Sequence, residues 1–111
     1  MSASRMREGL RRLREAGDTT TFEGMDPDGP MPEFISEDRD LAAVVDGSDY
    51  VEAKMAAMRA HATQITVDGP FFALSNNFGN RIWGEEFFRI AKGRQGPTND
   101  DGLETDLFAG I

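Results

Sequence analysis

"SDYVEAKMAAMRAHATQ", residues 48–64, contains the clearest helical pattern in the chain and fixes how the rest is interpreted. Ser48 is a residue type that commonly caps a helix N-terminus, so we expect the helix to begin there. The apolar residues at helical spacing are Val51, Met55, Met58 and Ala62. A helix with one apolar face needs other elements to pack on, and the flanking sequence must supply them.

The end of this helix carries the polar residues with a possible function. His61 is the only histidine in the chain, and it shares one flank of the helix with Lys54. A histidine near a helix C-terminus interacts favourably with the free carbonyl groups there, so a capping role is the simpler interpretation. Gln64 follows the last apolar residue and can point towards whatever the helix end faces.

Residues 1–17 predict a second, basic amphipathic helix. Ser2 or Ser4 can cap its start, and Gly17 is a plausible stop. Its apolar residues are Met6, Leu10 and Leu13. Three large apolar residues form a thin stripe, which predicts that another part of the chain covers this helix.

Residues 18–38 predict a loop or linker, because proline, glycine and acidic residues are frequent there. The apolar residues that could fix it to a core are Phe22, Met25, Met31 and Phe34. A loop of this length inside a compact domain is unusual. It is therefore either mobile or a cover for something else.

Residues 39–111 predict a C-terminal subdomain of short strands, turns and the helix described above. Residues 40–46 resemble a strand that ends in a turn at Asp46-Gly47, and Glu86–Ala91 resembles another. Further turns are predicted at Asp68-Gly69-Pro70 and at Asn76-Asn77 with Gly79. The apolar residues of the C-terminal tail, which should dock onto a body, are Leu103, Leu107, Phe108 and Ile111.

These elements predict an α/β protein of two helices, a few short strands and long loops. Strand 40–46 has no evident partner in the sequence, and an unpaired strand is costly to bury. We therefore expect a piece of a larger α/β fold with marginal stability when alone.

The composition excludes several classes of function. The net charge of −8 argues against a general nucleic-acid binder and against binding to an anionic membrane. Residues 1–16 are locally basic, which indicates either a solvated arginine-rich helix face or a tail for an acidic partner. The absence of cysteine and of an apolar run long enough for a membrane helix fits a cytoplasmic protein.

Catalytic and metal-binding patterns are absent from the sequence. One histidine and no cysteine cannot supply a typical zinc site, and the acidic clusters 26–28 and 100–106 lack the spacing of an EF-hand loop. Adjacent carboxylates at Glu85 and Glu86 would point to opposite faces of a strand. The sequence therefore provides no catalytic residue and no metal ligand.

Four segments, KMAAMRAHATQ (54–64), FFALSNN (71–77), EEFFRIAKG (85–93) and LETDLFAGI (103–111), resemble the C-terminal part of actinobacterial mycothiol deacetylases. These enzymes remove the acetyl group of N-acetylglucosaminyl-inositol and belong to the zinc-dependent de-N-acetylases. The related mycothiol S-conjugate amidases share a similar RAHATQ segment and tail. The FFALSNN segment favours the deacetylases.

The resemblance implies a Rossmann-like de-N-acetylase fold, of which this chain would be a C-terminal segment. The family binds zinc through two histidine motifs and uses an aspartate as general base, and neither motif occurs here. The resemblance therefore implies no zinc ligand and no catalytic residue in this chain. It implies that Gln64 contacts substrate at the active-site mouth, with His61 as a structural neighbour.

Three hypotheses follow from the sequence. The first is an incomplete deacetylase that acts on an N-acetylglucosaminyl-inositol substrate only when a catalytic N-terminal portion completes it. The second is a non-catalytic interaction module or one half of a split enzyme, whose partner would be that missing portion. The third is the remnant of a mycothiol S-conjugate amidase.

Overall fold

The computed structural model describes residues 1–66, 69 and 83–109. The helices and strands in this part of the chain are α1 (Ala3–Glu15), β1 (Ala43–Asp46), α2 (Val51–Ala60) and β2 (Glu85–Phe88). The prediction of an α/β chain with two helices, short strands and long loops is confirmed for these residues. None of the helices described is both long enough and apolar enough to cross a membrane.

Helix α1 begins and ends where the sequence predicts. The Ser2 hydroxyl accepts a hydrogen bond from the Arg5 backbone N–H at 3.2 Å and so caps the helix. Gly17 adopts a positive φ of 87°, and its N–H donates to the carbonyl of Arg14 at 3.1 Å. The Asp18 N–H donates to the Leu13 carbonyl at 2.9 Å, which completes a Schellman motif.

The long loop after α1 packs on the apolar face of that helix. Its partly buried Phe22, Met25 and Met31 contact a core that contains Leu10 and Leu13. The other members of this core are Ala3, Met6 and Ile35. The loop thus supplies the cover that the thin apolar stripe of α1 requires.

One residue of the loop lies where the sequence did not predict it. Phe34 is exposed over 74% of its surface, whereas Ile35 is buried. The prediction of Phe34 as a packing residue is wrong because the chain turns at this point. The Ile35 N–H donates to the Pro32 carbonyl at 2.9 Å, and Ser36 pairs with Ser2 beside the start of α1.

The arginines of α1 bind the backbone of the loop. The Arg7 guanidinium donates to the carbonyls of Pro27 and Gly29, both at 2.7 Å. The Arg14 guanidinium donates to three carbonyls, those of Asp18, Thr21 and Phe22, at 2.9–3.3 Å. The basic face of α1 is therefore partly structural, since it satisfies loop carbonyls that no secondary structure pairs.

Strands β1 and β2 form a two-stranded antiparallel sheet, with Ala43 opposite Phe88 and Asp46 opposite Glu85. The prediction that strand 40–46 lacks a partner is wrong, because the residues that pair with it lie 39 to 45 positions further along the chain. Both strands are also shorter than predicted. Residues 38–40 form a 3₁₀ turn, and β1 begins only at Ala43. Because Ala43 pairs with Phe88, β2 ends at Phe88.

The C-terminal tail joins the sheet through its backbone. The Glu104 N–H donates to the Ala42 carbonyl at 2.9 Å, and the Val44 N–H donates to the Glu104 carbonyl at 2.8 Å. Leu107 and Phe108 are exposed, so the prediction that they dock is wrong within the described residues. The segment 71–77, the turns at 68–70 and 76–79 and the tail residue Ile111 lie outside the described residues.

Candidate functional site

The position of the polar end of α2 depends on the turn that precedes the helix. The sequence predicts Ser48 as its N-cap, but residues 48–50 form a 3₁₀ turn and the helix begins at Val51. Ser48 acts as a donor instead: its N–H donates to the Asp46 carboxylate at 2.9 Å, and its hydroxyl donates to the same oxygen. These bonds lower the pKa of Asp46 and fix the turn between β1 and α2.

Helix α2 packs in a small apolar cluster. Val51 and Met55 are buried, and the partly buried Met58, Ile65 and Trp83 pack against them. Trp83 also packs against the core of α1, so one side chain contacts both clusters. The sequence offered one signal for this role, since Trp83 is the only tryptophan and lies two residues before β2.

Lys54 connects α2 to the second strand. Its ammonium group forms an ion pair with Glu86 and donates to the Trp83 carbonyl at 3.0 Å. It also lies 5.9 Å from the centroid of the Trp83 ring, within the range of a cation–π interaction. Lys54 is therefore a structural residue, although it lies on the same flank of the helix as His61.

The neighbouring carboxylate, Glu85, points to a different helix. The Arg5 guanidinium binds it in a bidentate fashion, with Nε to Oε2 at 2.7 Å and Nη2 to Oε1 at 3.0 Å. This pairing raises the pKa of Arg5. The expectation that Glu85 and Glu86 face opposite ways is confirmed, and together they connect β2 to both helices.

Helix α2 ends at His61 and is shorter than the pattern indicated. The His61 N–H donates to the Met58 carbonyl at 3.1 Å, and the His61 carbonyl accepts hydrogen bonds from Gln64 and Ile65 at 2.8 and 2.9 Å. Residues 61–64 are therefore a turn, and Ala62 is exposed in it instead of continuing the apolar face.

The side chains of His61 and Gln64 are both exposed at the surface of this turn. The turn is fixed at one end by α2 and at the other by Ile65, which packs against the cluster around Met55. An exposed carboxamide on a turn fixed at both ends can donate and accept hydrogen bonds with a polar ligand. The structure thus places Gln64 where a ligand could reach it.

The acidic clusters organise turns. Asp26 accepts the Asp28 N–H at 2.8 Å, and Asp106 accepts the Phe108 N–H at 2.9 Å. Glu104 accepts the N–H of Gly96. Across residues 1–66, 69 and 83–109, no group of three or more histidine, cysteine, aspartate or glutamate side chains is arranged to hold a metal ion.

The sequence is closely similar to part of several curated bacterial proteins. It is 74% identical to the 1D-myo-inositol 2-acetamido-2-deoxy-alpha-D-glucopyranoside deacetylase of a Nocardioides species, a match that spans all 111 residues and 37% of that protein. The enzyme of the same name from Kribbella flavida is 61% identical over the full chain, which is 36% of its length. The corresponding protein of Acidothermus cellulolyticus is 48% identical over 94% of the chain.

Two other comparisons found no counterpart. No protein-family model matches the sequence, and no solved structure matches the chain. The Rossmann-like arrangement therefore stays a prediction. The identity to the deacetylases is high over the whole chain, which nevertheless spans only about a third of their length, as expected for a C-terminal part. The 111 residues thus correspond to a segment of the 1D-myo-inositol 2-acetamido-2-deoxy-alpha-D-glucopyranoside deacetylases.

Proposed function

We propose that this chain is the C-terminal part of a deacetylase that hydrolyses the N-acetyl group of N-acetylglucosaminyl-inositol in mycothiol synthesis. The observation that carries the proposal is the 74% identity over all 111 residues to a protein named for this reaction. We also infer a cytoplasmic location, which the absence of cysteine favours.

The zinc chemistry of such an enzyme has to come from outside the described residues. Their only histidine, His61, is an exposed helix-end residue, and no acidic or histidine cluster around it is arranged to hold a metal ion. These residues do not fit a zinc site, so no catalytic step is assigned to them. The proposal therefore includes a catalytic portion that contains the metal ligands and the general base.

Within the proposed enzyme, Gln64 contributes to substrate binding. Its carboxamide is exposed on a turn fixed by α2 and Ile65, so the backbone of the turn is already ordered before the side chain binds a sugar hydroxyl. His61 supports this geometry through its backbone, because its carbonyl accepts the Gln64 N–H at 2.8 Å. Neither residue has a chemical role in the reaction itself.

A joined protein tests the proposal directly. The Nocardioides deacetylase is expressed with its matching segment replaced by this chain, and acetate release from N-acetylglucosaminyl-inositol is measured in the presence of zinc. We expect turnover by the joined protein and none by the isolated chain. Turnover with one bound zinc in the isolated chain would contradict the segment proposal, and a folded joined protein without turnover would contradict the deacetylase.

Variants of the joined protein test the role of Gln64. Gln64→Ala should raise KM up to about tenfold with little change in kcat, since one neutral hydrogen bond to substrate is lost. Thr63→Ala is the matched control, because Thr63 is exposed in the same turn. Equal KM values for the two variants would contradict the proposed contact between Gln64 and the substrate.

A non-catalytic interaction module is the second candidate function. The observation that favours it is the exposed apolar surface of the described residues, which includes Phe88, Ile90, Leu107 and Phe108. Mixing the chain with the separately expressed remainder of the Nocardioides enzyme distinguishes the two. Association without acetate release would favour the module over the deacetylase.

A further inference from the structure

Helix α2 has a second apolar face that this chain leaves exposed. Successive helical residues are 100° apart, which places Val51, Met55 and Met58 on one side of α2. The residues on the opposite side are Ala53, Ala56, Ala57 and Ala60, and all four are exposed. Tyr50, which directly precedes the helix, is exposed over 74% of its surface and lies beside this side of α2. These five residues are called the alanine face.

The alanine face is unusual for a helix that borders water. A surface helix presents polar side chains on its outer side, whereas a helix that is apolar on two opposite sides is typical of a protein interior. The flanks of α2 follow the first rule. Glu52 and Arg59 lie on one flank and are exposed, whereas Lys54 and His61 lie on the other flank. The pattern therefore indicates a helix that lies between two packed layers, of which this chain supplies one.

The occupant of the second layer follows from the length of the relatives. The chain matches only 37% of the Nocardioides deacetylase, so nearly two thirds of that protein lies outside the segment. A ten-residue helix with two buried side chains, paired with a two-stranded sheet, has little independent stability. The remaining part of the enzyme is the surface against which such a subdomain would be completed.

We propose that the alanine face is the surface on which the catalytic portion of the enzyme packs. The inference rests on the proposed function to the extent that it requires the larger protein. Alanine side chains are short enough to let a facing helix approach to an interaxial distance of about 8 Å. Tyr50 adds an aromatic side chain at one end of the face, with a hydroxyl that can reach a polar partner.

Thiol labelling tests the proposal at a single position. Ala57→Cys introduces the only cysteine of the chain, and Ala16→Cys is the matched control on an exposed alanine directly after α1. Labelling of each position is followed by mass spectrometry in the isolated chain and in the joined protein. We expect at least about tenfold slower labelling at position 57 in the joined protein, because modification then requires local opening of the interface. Labelling at position 16 should not change.

A charge at the same position provides a second readout. Ala57→Glu should leave the isolated chain unchanged but lower the Tm of the joined protein by about 5 °C or more, since an unpaired carboxylate is then buried. Ala16→Glu should change neither protein. If Ala57→Glu has no effect on the joined protein, the face is merely a solvent-exposed run of good helix formers, and the proposal is wrong.

The remaining outcomes separate this proposal from other occupants and from the proposed function. Slow labelling at position 57 in the isolated chain would mean that another part of the chain or a second copy covers the face, and sedimentation would distinguish these two. Either result overturns the proposal. Protection in a folded joined protein without acetate release would keep the docking surface and contradict the deacetylase. Acetate release with unchanged labelling at position 57 would support the deacetylase function and contradict the docking surface.

Discussion

The two helices of this chain have the same kind of apolar stripe but very different surroundings. Helix α1 lies under its own loop, and five residues of its core are buried within the first 36 residues of the chain. Helix α2 has two buried residues and is joined to the two-stranded sheet by the Lys54–Glu86 ion pair, with the alanine face exposed on its other side. The first region is largely complete in itself, whereas the second resembles one layer of a larger body.

The difference lies in how each region satisfies its polar backbone. In the first region, arginine side chains of α1 replace secondary structure by donating to loop carbonyls. In the second, backbone groups are bonded within the two-stranded sheet, in the turns at Asp46 and His61, and between the sheet and the tail. A long loop need not be mobile when a neighbouring helix provides donors for it.

Truncation of a buried side chain in each core should give the largest losses in unfolding free energy and test the difference between the two regions most directly. Leu10 is fully buried among five core residues, so Leu10→Ala should cost about 3–5 kcal/mol of unfolding free energy. Met55→Ala should cost less, about 2 kcal/mol, because fewer buried neighbours surround the cavity. Urea unfolding of the isolated chain measures both. Equal losses would show that the two regions unfold as one equally packed core.

Removal of a single guanidinium should have the next largest effect. Arg14→Gln leaves three loop carbonyls without their donor and should cost about 1.5–3 kcal/mol, and Arg14→Lys should rescue little because one ammonium cannot reproduce the fork. Arg12→Gln is the control, since Arg12 pairs only with Glu8 on the exposed surface of α1 and should cost under about 0.5 kcal/mol.

Amide hydrogen exchange localises the effect of the arginine variants. Arg14→Gln should increase exchange in the loop, at the Glu23 and Met25 N–H groups, before it affects α2. Exchange that rises evenly across both regions would contradict the separate organisation of the α1 region.

The sequence predicted what depends on local chemistry. The Ser2 cap, the Gly17 stop and the buried Met6, Leu10 and Leu13 follow from residue type and helical spacing. These features need no knowledge of distant parts of the chain.

The errors occurred where distant residues decide. The residues that pair with β1 lie 39 to 45 positions away in the sequence. The loop that covers α1 is bound by arginine donors, and Trp83 contacts two clusters that are far apart in sequence. Ser48 was misassigned because a hydroxyl can donate as well as accept, and here it donates to the carboxylate of Asp46, two residues earlier. The exposed position of Gln64 agrees with a binding role, which stays a prediction.

The smallest expected effects are changes in the pKa of one carboxyl group in each region. Hydrogen bonds from the Thr21 hydroxyl, from the Thr21 N–H and from Thr20 lower the pKa of Asp18 to about 2, below its ordinary value of 3.8. A lowered pKa contributes stability above pH 3.8 that is lost as the pH falls towards 2. Thr21→Val should raise the pKa of Asp18, whereas Thr19→Val should not. Carbon-13 titration of the carboxyl groups measures these values.

The matching change in the second region is Ser48→Ala, which should raise the pKa of Asp46 alone because the hydroxyl of Ser48 is the largest cause of its lowering. In both regions the backbone donors remain, so each pKa should stay below its ordinary value. In both variants, the unfolding midpoint should therefore depend less steeply on pH below the ordinary pKa of the carboxyl group. A change in the pKa of Asp46 in Thr21→Val would contradict the separation of the two regions. The Arg5–Glu85 ion pair, which joins them at the surface, is too weak to transmit such a change.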